Sequence, residues 1–174
     1  AGDGGVRHRL RPVDGGFVTS APTSYVFDAA VDAARGRVFA AIVDEVETWP
    51  AWFPGVTGGS YASADERGEG ATRLLGLAGA RVRETVLIRE EPHRWMYRVD
   101  AAPVPIAHAM AEAWLFDELP YGTHVRWTVA VEPAALFHLL VPFPQVTIGA
   151  LWRRTKKAEI GGKAVGSFAA DATE

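Results

Sequence analysis

Glu84 and Glu112 are the residues of this chain best placed to do chemistry. Each sits in a run of alternating side chains. In residues 81–90, one side of an extended strand carries Val82, Glu84, Val86 and Ile88; the other carries Arg81, Arg83, Thr85, Leu87 and Arg89. In residues 107–117, His108, Met110, Glu112, Trp114 and Phe116 share one side, opposite four alanines and Leu115. Side chains alternate across a strand, and large apolar groups gain most from burial. Both glutamates are therefore expected to face inward. A carboxylate among apolar groups is costly unless paired or protonated, and burial raises its pKa. Such a group can act as a general base or bind a ligand hydroxyl. The competing reading ties each glutamate to an arginine, a tyrosine or a backbone amide, or leaves it in water at the rim. Tyr97 is either a phenol offered to a ligand carbonyl or a core aromatic with a hydrated hydroxyl. His108 is either an acid–base partner or a rim histidine beside Pro103 and Pro105.

Around these groups the expected ligand wall is Trp95, Trp114, Trp127, Phe116, Val86 and Met110, with Trp52, Thr155 and Gly162 contributed by helices. Three indoles on adjacent inward faces suit a flat ligand, although such tryptophans are more often plain core than ligand platforms. For Trp52 the alternative is packing against the C-terminal helix. Gly161 and Gly162 each weaken a helix by up to about 1 kcal/mol relative to alanine. They read either as room for a ligand or as a kink.

Elements that would position these residues follow from periodicity. Residues 25–31 alternate as a first strand. Asp32 is placed as an N-cap, and Val38, Phe39, Ile42 and Val43 then recur at helical spacing. A second short helix over 46–53 ends at Pro54-Gly55. Strands are predicted over 56–62, 71–77, 80–90, 93–101, 107–117 and 123–132, with short turns between them. In the last, Val125, Trp127, Val129 and Val131 point in. A short helix over 134–141 and a long one over 145–170 close the chain. This is an α+β layout: one strand, two short helices, an antiparallel meander of six strands and a long C-terminal helix. Residues 1–22 are read as a peripheral tail and 23–172 as one domain.

Composition narrows the function. The 174 residues carry a net charge of -3, which provides no basic footprint for nucleic acid. Cysteine is absent, excluding disulfides and thiolate metal sites. No apolar run is long enough to span a bilayer, and the first residues lack a signal-peptide core, so a cytoplasmic location is expected. No phosphate-binding glycine loop, nucleophile elbow or spaced histidine pair is present, and neither a metal nor a cofactor is expected. Arg153, Arg154, Lys156 and Lys157 are read as a solvated helix face, with contact to an anionic membrane as the alternative. Oligomeric state is not legible, although the alanine face of residues 107–113 would suit a contact.

Two segments carry a resemblance. Ala34 to Asp44, followed by Trp49-Pro50-Ala51-Trp52-Phe53-Pro54-Gly55-Val56, resembles the opening of polyketide cyclase/dehydrase-like proteins, with their W-x-x-W-x-P-G-V element. Phe116 to Trp127, containing Gly122-Thr123-His124-Val125-Arg126-Trp127, is similar to their G-T-x-V-x-W hairpin. The resemblance covers about residues 24–170 and implies the helix-grip fold of the START and Bet v 1 superfamily, a curved seven-stranded antiparallel sheet around the long C-terminal helix, with two short helices after the first strand. It implies an internal pocket for a lipid, sterol or aromatic polyketide, in some members with cyclisation or dehydration chemistry. Three functions follow: an enzyme using Glu84, Glu112 and Tyr97 or His108; a carrier or sensor without chemistry; or a protein-interaction module with a filled core. Cavity volume and the position of both glutamates discriminate among them.

Overall fold

The computed structural model describes residues 8–63, 65–141 and 144–161. The strands are β1 (His8–Arg9), β2 (Thr23–Val31), β3 (Val56–Tyr61), β4 (Thr72–Leu77), β5 (Ala80–Glu90), β6 (Arg94–Ala102), β7 (Ala107–Leu119) and β8 (Gly122–Pro133). The helices are α1 (Phe17–Ser20), α2 (Arg35–Val43), α3 (Trp49–Trp52), α4 (Ala135–Leu140) and α5 (Pro144–Arg154), with a 3₁₀ turn at Val46–Thr48. Strands β2–β8 form one antiparallel sheet in the order β2-β8-β7-β6-β5-β4-β3, and β1 adds beside β6. The expected α+β helix-grip architecture is present.

The sheet curves around a core from its inner face, α2, α3 and α5. That core holds all six tryptophans, each at most 6% exposed. Trp114 stacks on Trp127 at 5.3 Å, and Trp152 of α5 meets both rings edge-on or tilted. The Trp152 indole N–H donates to the Asp28 carbonyl at 3.1 Å, locking α5 against β2.

Of the four register shifts among the described residues, the three on β5, β6 and β7 bear on which residues of the site face inward. Register shifts by one between Val86 and Ile88, so Leu87 is the extra residue. A bulge of this kind reverses the pleat beyond it. Ile88 is accordingly turned to the outer face, next to Gly15, and Arg89 to the inner side, over the Phe39 ring. A second shift leaves Asp100 unpaired in β6. A third, between Ala107 and Ala109, makes His108 the extra residue. The expectation that Ile88 and His108 share the inner face fails for this reason.

Residues 8–21 form a strap: β1 pairs with the end of β6, Leu10 is buried with Val99, Val131 and Phe137 on the inner side, and Phe17 comes to lie on the outer face. Leu10 N donates to the carbonyl of bulged Asp100 at 2.9 Å, and Arg11 N to that of His108 at 2.8 Å. Phe17 is buried against Ala109, Ala111 and Ala130. This answers why the outer side of β7 is alanine: larger side chains would leave no room for the strap.

The helix that periodicity predicts over 145–170 is interrupted after Arg154, and its expected part from residue 162 on lies outside the described residues. α5 ends at Arg154, because Lys156 N donates to the Trp52 carbonyl at 2.8 Å instead of continuing the helical ladder. Residues 157–161 form a further turn. A Cβ on Gly161 would meet the Asp32 carbonyl oxygen at 3.0 Å, so glycine there serves close backbone approach. Gly162 lies outside the described residues. Asp32 does not cap α2; its N-cap position is Ala34, with no side-chain cap.

Candidate functional site

A cavity of about 210 Å³ lies between the inner face of the sheet and the helices. Its wall is apolar apart from Glu84, Tyr97 and Glu112. Trp49, Phe53, Trp114, Trp127 and Val129 line one part, and Leu77, Ile106, Val141, Ile148 and Leu151 another. Of the residues expected from sequence, Glu84, Tyr97, Glu112, Met110, Trp114 and Trp127 are brought together here.

The other expected residues among those described do not line it; Gly162 lies outside the described residues. Phe116 packs edge-on to Phe39 of α2 at 5.3 Å. Trp95 lies beside Tyr97 at 4.6 Å, on the side away from the cavity. Val86 is buried core. Trp52 packs on Trp49 and Phe53 and hands its carbonyl to the segment after α5. Thr155 is buried and returns its hydroxyl to the Leu151 carbonyl at 3.3 Å. His108 is exposed on the outer face, which removes it from any acid–base role in this cavity.

The central acid is Glu112. Its Oε2 accepts hydrogen bonds from the Tyr97 hydroxyl at 2.5 Å and from the Trp127 indole N–H at 2.7 Å. These partners are adjacent in the sheet: Glu112 pairs with Tyr97 on β6 and with Val129 on β8, two residues from Trp127. Burial pushes the Glu112 carboxyl up to about 7, the nearby Glu84 charge adds to this, and the two donated hydrogen bonds hold it back. Burial, reinforced by Glu112, also holds the Tyr97 phenol well above its usual range, so it stays neutral.

Glu84 is engaged by a residue that the sequence reading missed. Arg73, fully buried, forms an ion pair with Glu84 directly across β4 and β5. Its guanidinium carbon lies 4.5 to 4.8 Å from the centroids of Trp49, Trp95 and Tyr97, a cation enclosed by three aromatic faces. Burial works against the Arg73 charge, but the adjacent Glu84 carboxylate outweighs it. Burial pushes the Glu84 carboxyl above its ordinary value, and the charge and hydrogen bond of Arg73 offset this only in part. Alternation along β4 contained the signal, since Ala71, Arg73 and Leu75 share one face and the flanking two are buried. The site thus combines a buried ion pair, with Nη1 and Nη2 of Arg73 left without a hydrogen-bond partner, a neutral phenol and a second acid whose proton affinity lies near neutrality. Tyr97 joins the two halves: its ring caps Arg73 and its hydroxyl holds Glu112.

The family described as polyketide cyclase/dehydrase and lipid transport matches residues 22–170. The chain belongs to that family. Its hydrophobic cavity agrees with the binding of a hydrophobic small molecule that the family description implies. Among curated proteins, an uncharacterized protein of Mycobacterium tuberculosis is 29% identical over 117 residues, covering 66% of this chain and 68% of its own. Solved structures add fold-level likeness. A START superfamily protein from Mycobacterium smegmatis superposes with a TM-score of 0.57 at 18% identity, over 86% of this chain and 99% of that one. The crystal structure of Ara h 8.0201 gives 0.59 at 12% identity, over 83% and 98%. The di-domain ARO/CYC protein BexL, from the BE-7585A biosynthetic pathway, gives 0.57 at 18%, over 82% of this chain and 48% of that protein. At these identities the likeness shows the fold alone. Among the described residues, no helix is long and apolar enough to cross a membrane.

Proposed function

We propose that this protein holds a one- or two-ring, largely apolar molecule and anchors a ligand oxygen at Glu112. The observation that carries this reading is the cavity: about 210 Å³, apolar-walled, with its three polar groups bunched at one place. A void of roughly 150 Å³ accommodates benzene, whereas drug-sized ligands occupy roughly 300–1,000 Å³. The size favours a hydroxylated bicycle over a sterol or a four-ring polyketide. Glu84 is taken by Arg73, leaving Glu112 as the group for a ligand hydroxyl. A filled core, as expected of a protein-interaction module, does not match a cavity of this size.

Isothermal titration calorimetry with 2-naphthol tests the reading. The wild type is expected to bind saturably and Glu112→Leu to bind at least about tenfold more weakly, the worth of one hydrogen bond to a charged group. The reading is wrong if 2-naphthol does not bind, or if Glu112→Leu binds it equally well.

A second, catalytic reading rests on the proton affinity of Glu112. An acid near neutrality is suited to taking a proton from carbon next to a carbonyl, the opening step of an aldol cyclisation. Exchange of the α-protons of 2-tetralone in D2O, followed by NMR, would be accelerated by the wild type and not by Glu112→Gln. Equal exchange with both proteins refutes this version and leaves the binding version standing.

A further inference from the structure

The two ends of the sheet differ in chemistry. Antiparallel pairing brings the β4–β5 turn, the β6–β7 connection, β1 and the start of α4 and α5 to one end. Residues 74–80, 101–111 and 133–152, which include these connections, contain no Asp, Glu, Lys or Arg. Charged residues make up 22% of the whole chain, so their absence from these three segments is a marked local bias. The opposite end carries Glu66, Glu69, Glu90, Glu91, Asp117 and Glu118 in or beside its turns.

The end whose connections carry no charge is also where lining residues of the cavity reach the surface. Leu77 lines the cavity and is itself 38% exposed, and the lining residues Ile106 and Val141 are half-buried. Beside them, Val104, Leu139 and Val146 present apolar side chains to solvent, the last two 75% and 63% exposed. Exposed apolar groups gathered at one place mark an interaction surface.

Charge identifies the partner. The two carboxylates nearest this end in the sheet are already neutralised: Glu132 by Arg11 and Asp100 by Arg98. Arg9 and Arg81 are exposed there, and among the described residues neither has an ion pair or hydrogen bond through its side chain. An apolar, carboxylate-poor end flanked by free arginines matches an anionic bilayer, whose headgroups attract the arginines and whose acyl boundary accepts the leucine and valines.

We infer that this end of the protein docks on the surface of an anionic membrane, with the cavity mouth facing the lipid. The inference is independent of which molecule the cavity holds, because it rests on the mouth and not on Glu112.

The full chain is to be sedimented with vesicles of phosphatidylcholine, with and without phosphatidylglycerol. Binding is expected only to the anionic vesicles and is expected to fall as salt rises. Arg9→Glu and Arg81→Glu are each expected to weaken partitioning about fivefold or more. Leu139→Asp and Val146→Asp, neither of which lines the cavity, are expected to abolish it while leaving the circular dichroism spectrum and 2-naphthol binding unchanged. The inference is overturned if the wild type ignores anionic vesicles, or if the folded variants bind them as well as the wild type does. It is equally overturned if sedimentation velocity shows this end buried in a dimer that Leu139→Asp dissociates.

Discussion

Replacing Glu112 by glutamine tests the electrostatic reading of the site without reference to any ligand. Glutamine keeps the shape and an oxygen that accepts from Tyr97 and Trp127, but it cannot ionise. In the folded protein the Glu112 carboxyl is raised from 4.5 to about 7, first by burial and then by the Glu84 charge. Each tenfold change in proton affinity is worth about 1.4 kcal/mol, so this displacement weighs about 3 kcal/mol. The sign follows from linkage. Because the folded pKa lies above the unfolded one, the contribution is fully present below about pH 4.5 and is lost as pH rises through about 7. Above pH 7 the native state must hold a buried carboxylate that the unfolded chain ionises freely. Urea unfolding of both proteins at pH 5 and pH 8.5 is the assay. Glu112→Gln is expected to match the wild type within about 1 kcal/mol at pH 5 and to exceed it by about 3 kcal/mol at pH 8.5. A stability difference that stays constant between these two pH values would falsify the claim that Glu112 titrates as a desolvated acid.

Arg73 and Phe17 support further expectations. Arg73→Met leaves Glu84 as an uncompensated buried charge and is expected to cost about 3–5 kcal/mol in urea unfolding. Adding Glu84→Gln to that variant is expected to recover most of the loss; if the double variant is no better than the single one, the pair is not what holds this wall. Phe17→Ala is expected to cost about 2 kcal/mol, the worth of burying one aromatic ring. It is also expected to speed proteolysis within residues 8–21 well before the rest of the chain is cut; uniform digestion would show that the strap is not anchored by this ring.

Much of this arrangement is legible in the chain itself. The alternation of Val125, Trp127, Val129 and Val131 assigns the inner face of β8 because any other phase would put four large apolar groups in water. The same logic places Glu112 beside Met110 and Trp114, and Glu84 beside Val82, and the structure agrees. It fails at Ile88 and His108, each beyond or at a bulge. A bulge is a choice made between two paired strands, and no single strand's alternation records it. Arg73 was missed for a related reason. An arginine in a strand reads as an outward residue until its partner is known, and Glu84 is eleven residues away in sequence but directly opposite in the sheet.

The sequence by itself determined the order of elements, the α+β class and the presence of carboxylates in an apolar wall. These depend on local period and on the cost of exposing large apolar groups, both written along the chain. Only the tertiary structure decided that Trp52, Trp95 and Phe116 fill core instead of lining the cavity, that Arg73 pairs with Glu84, and that Glu112 is a second acid near neutrality. It also decided that an N-terminal strap covers the alanine face of β7. Each of these depends on which surfaces meet across the sheet. Burial, proton affinity and empty volume are properties of such meetings and not of any residue alone.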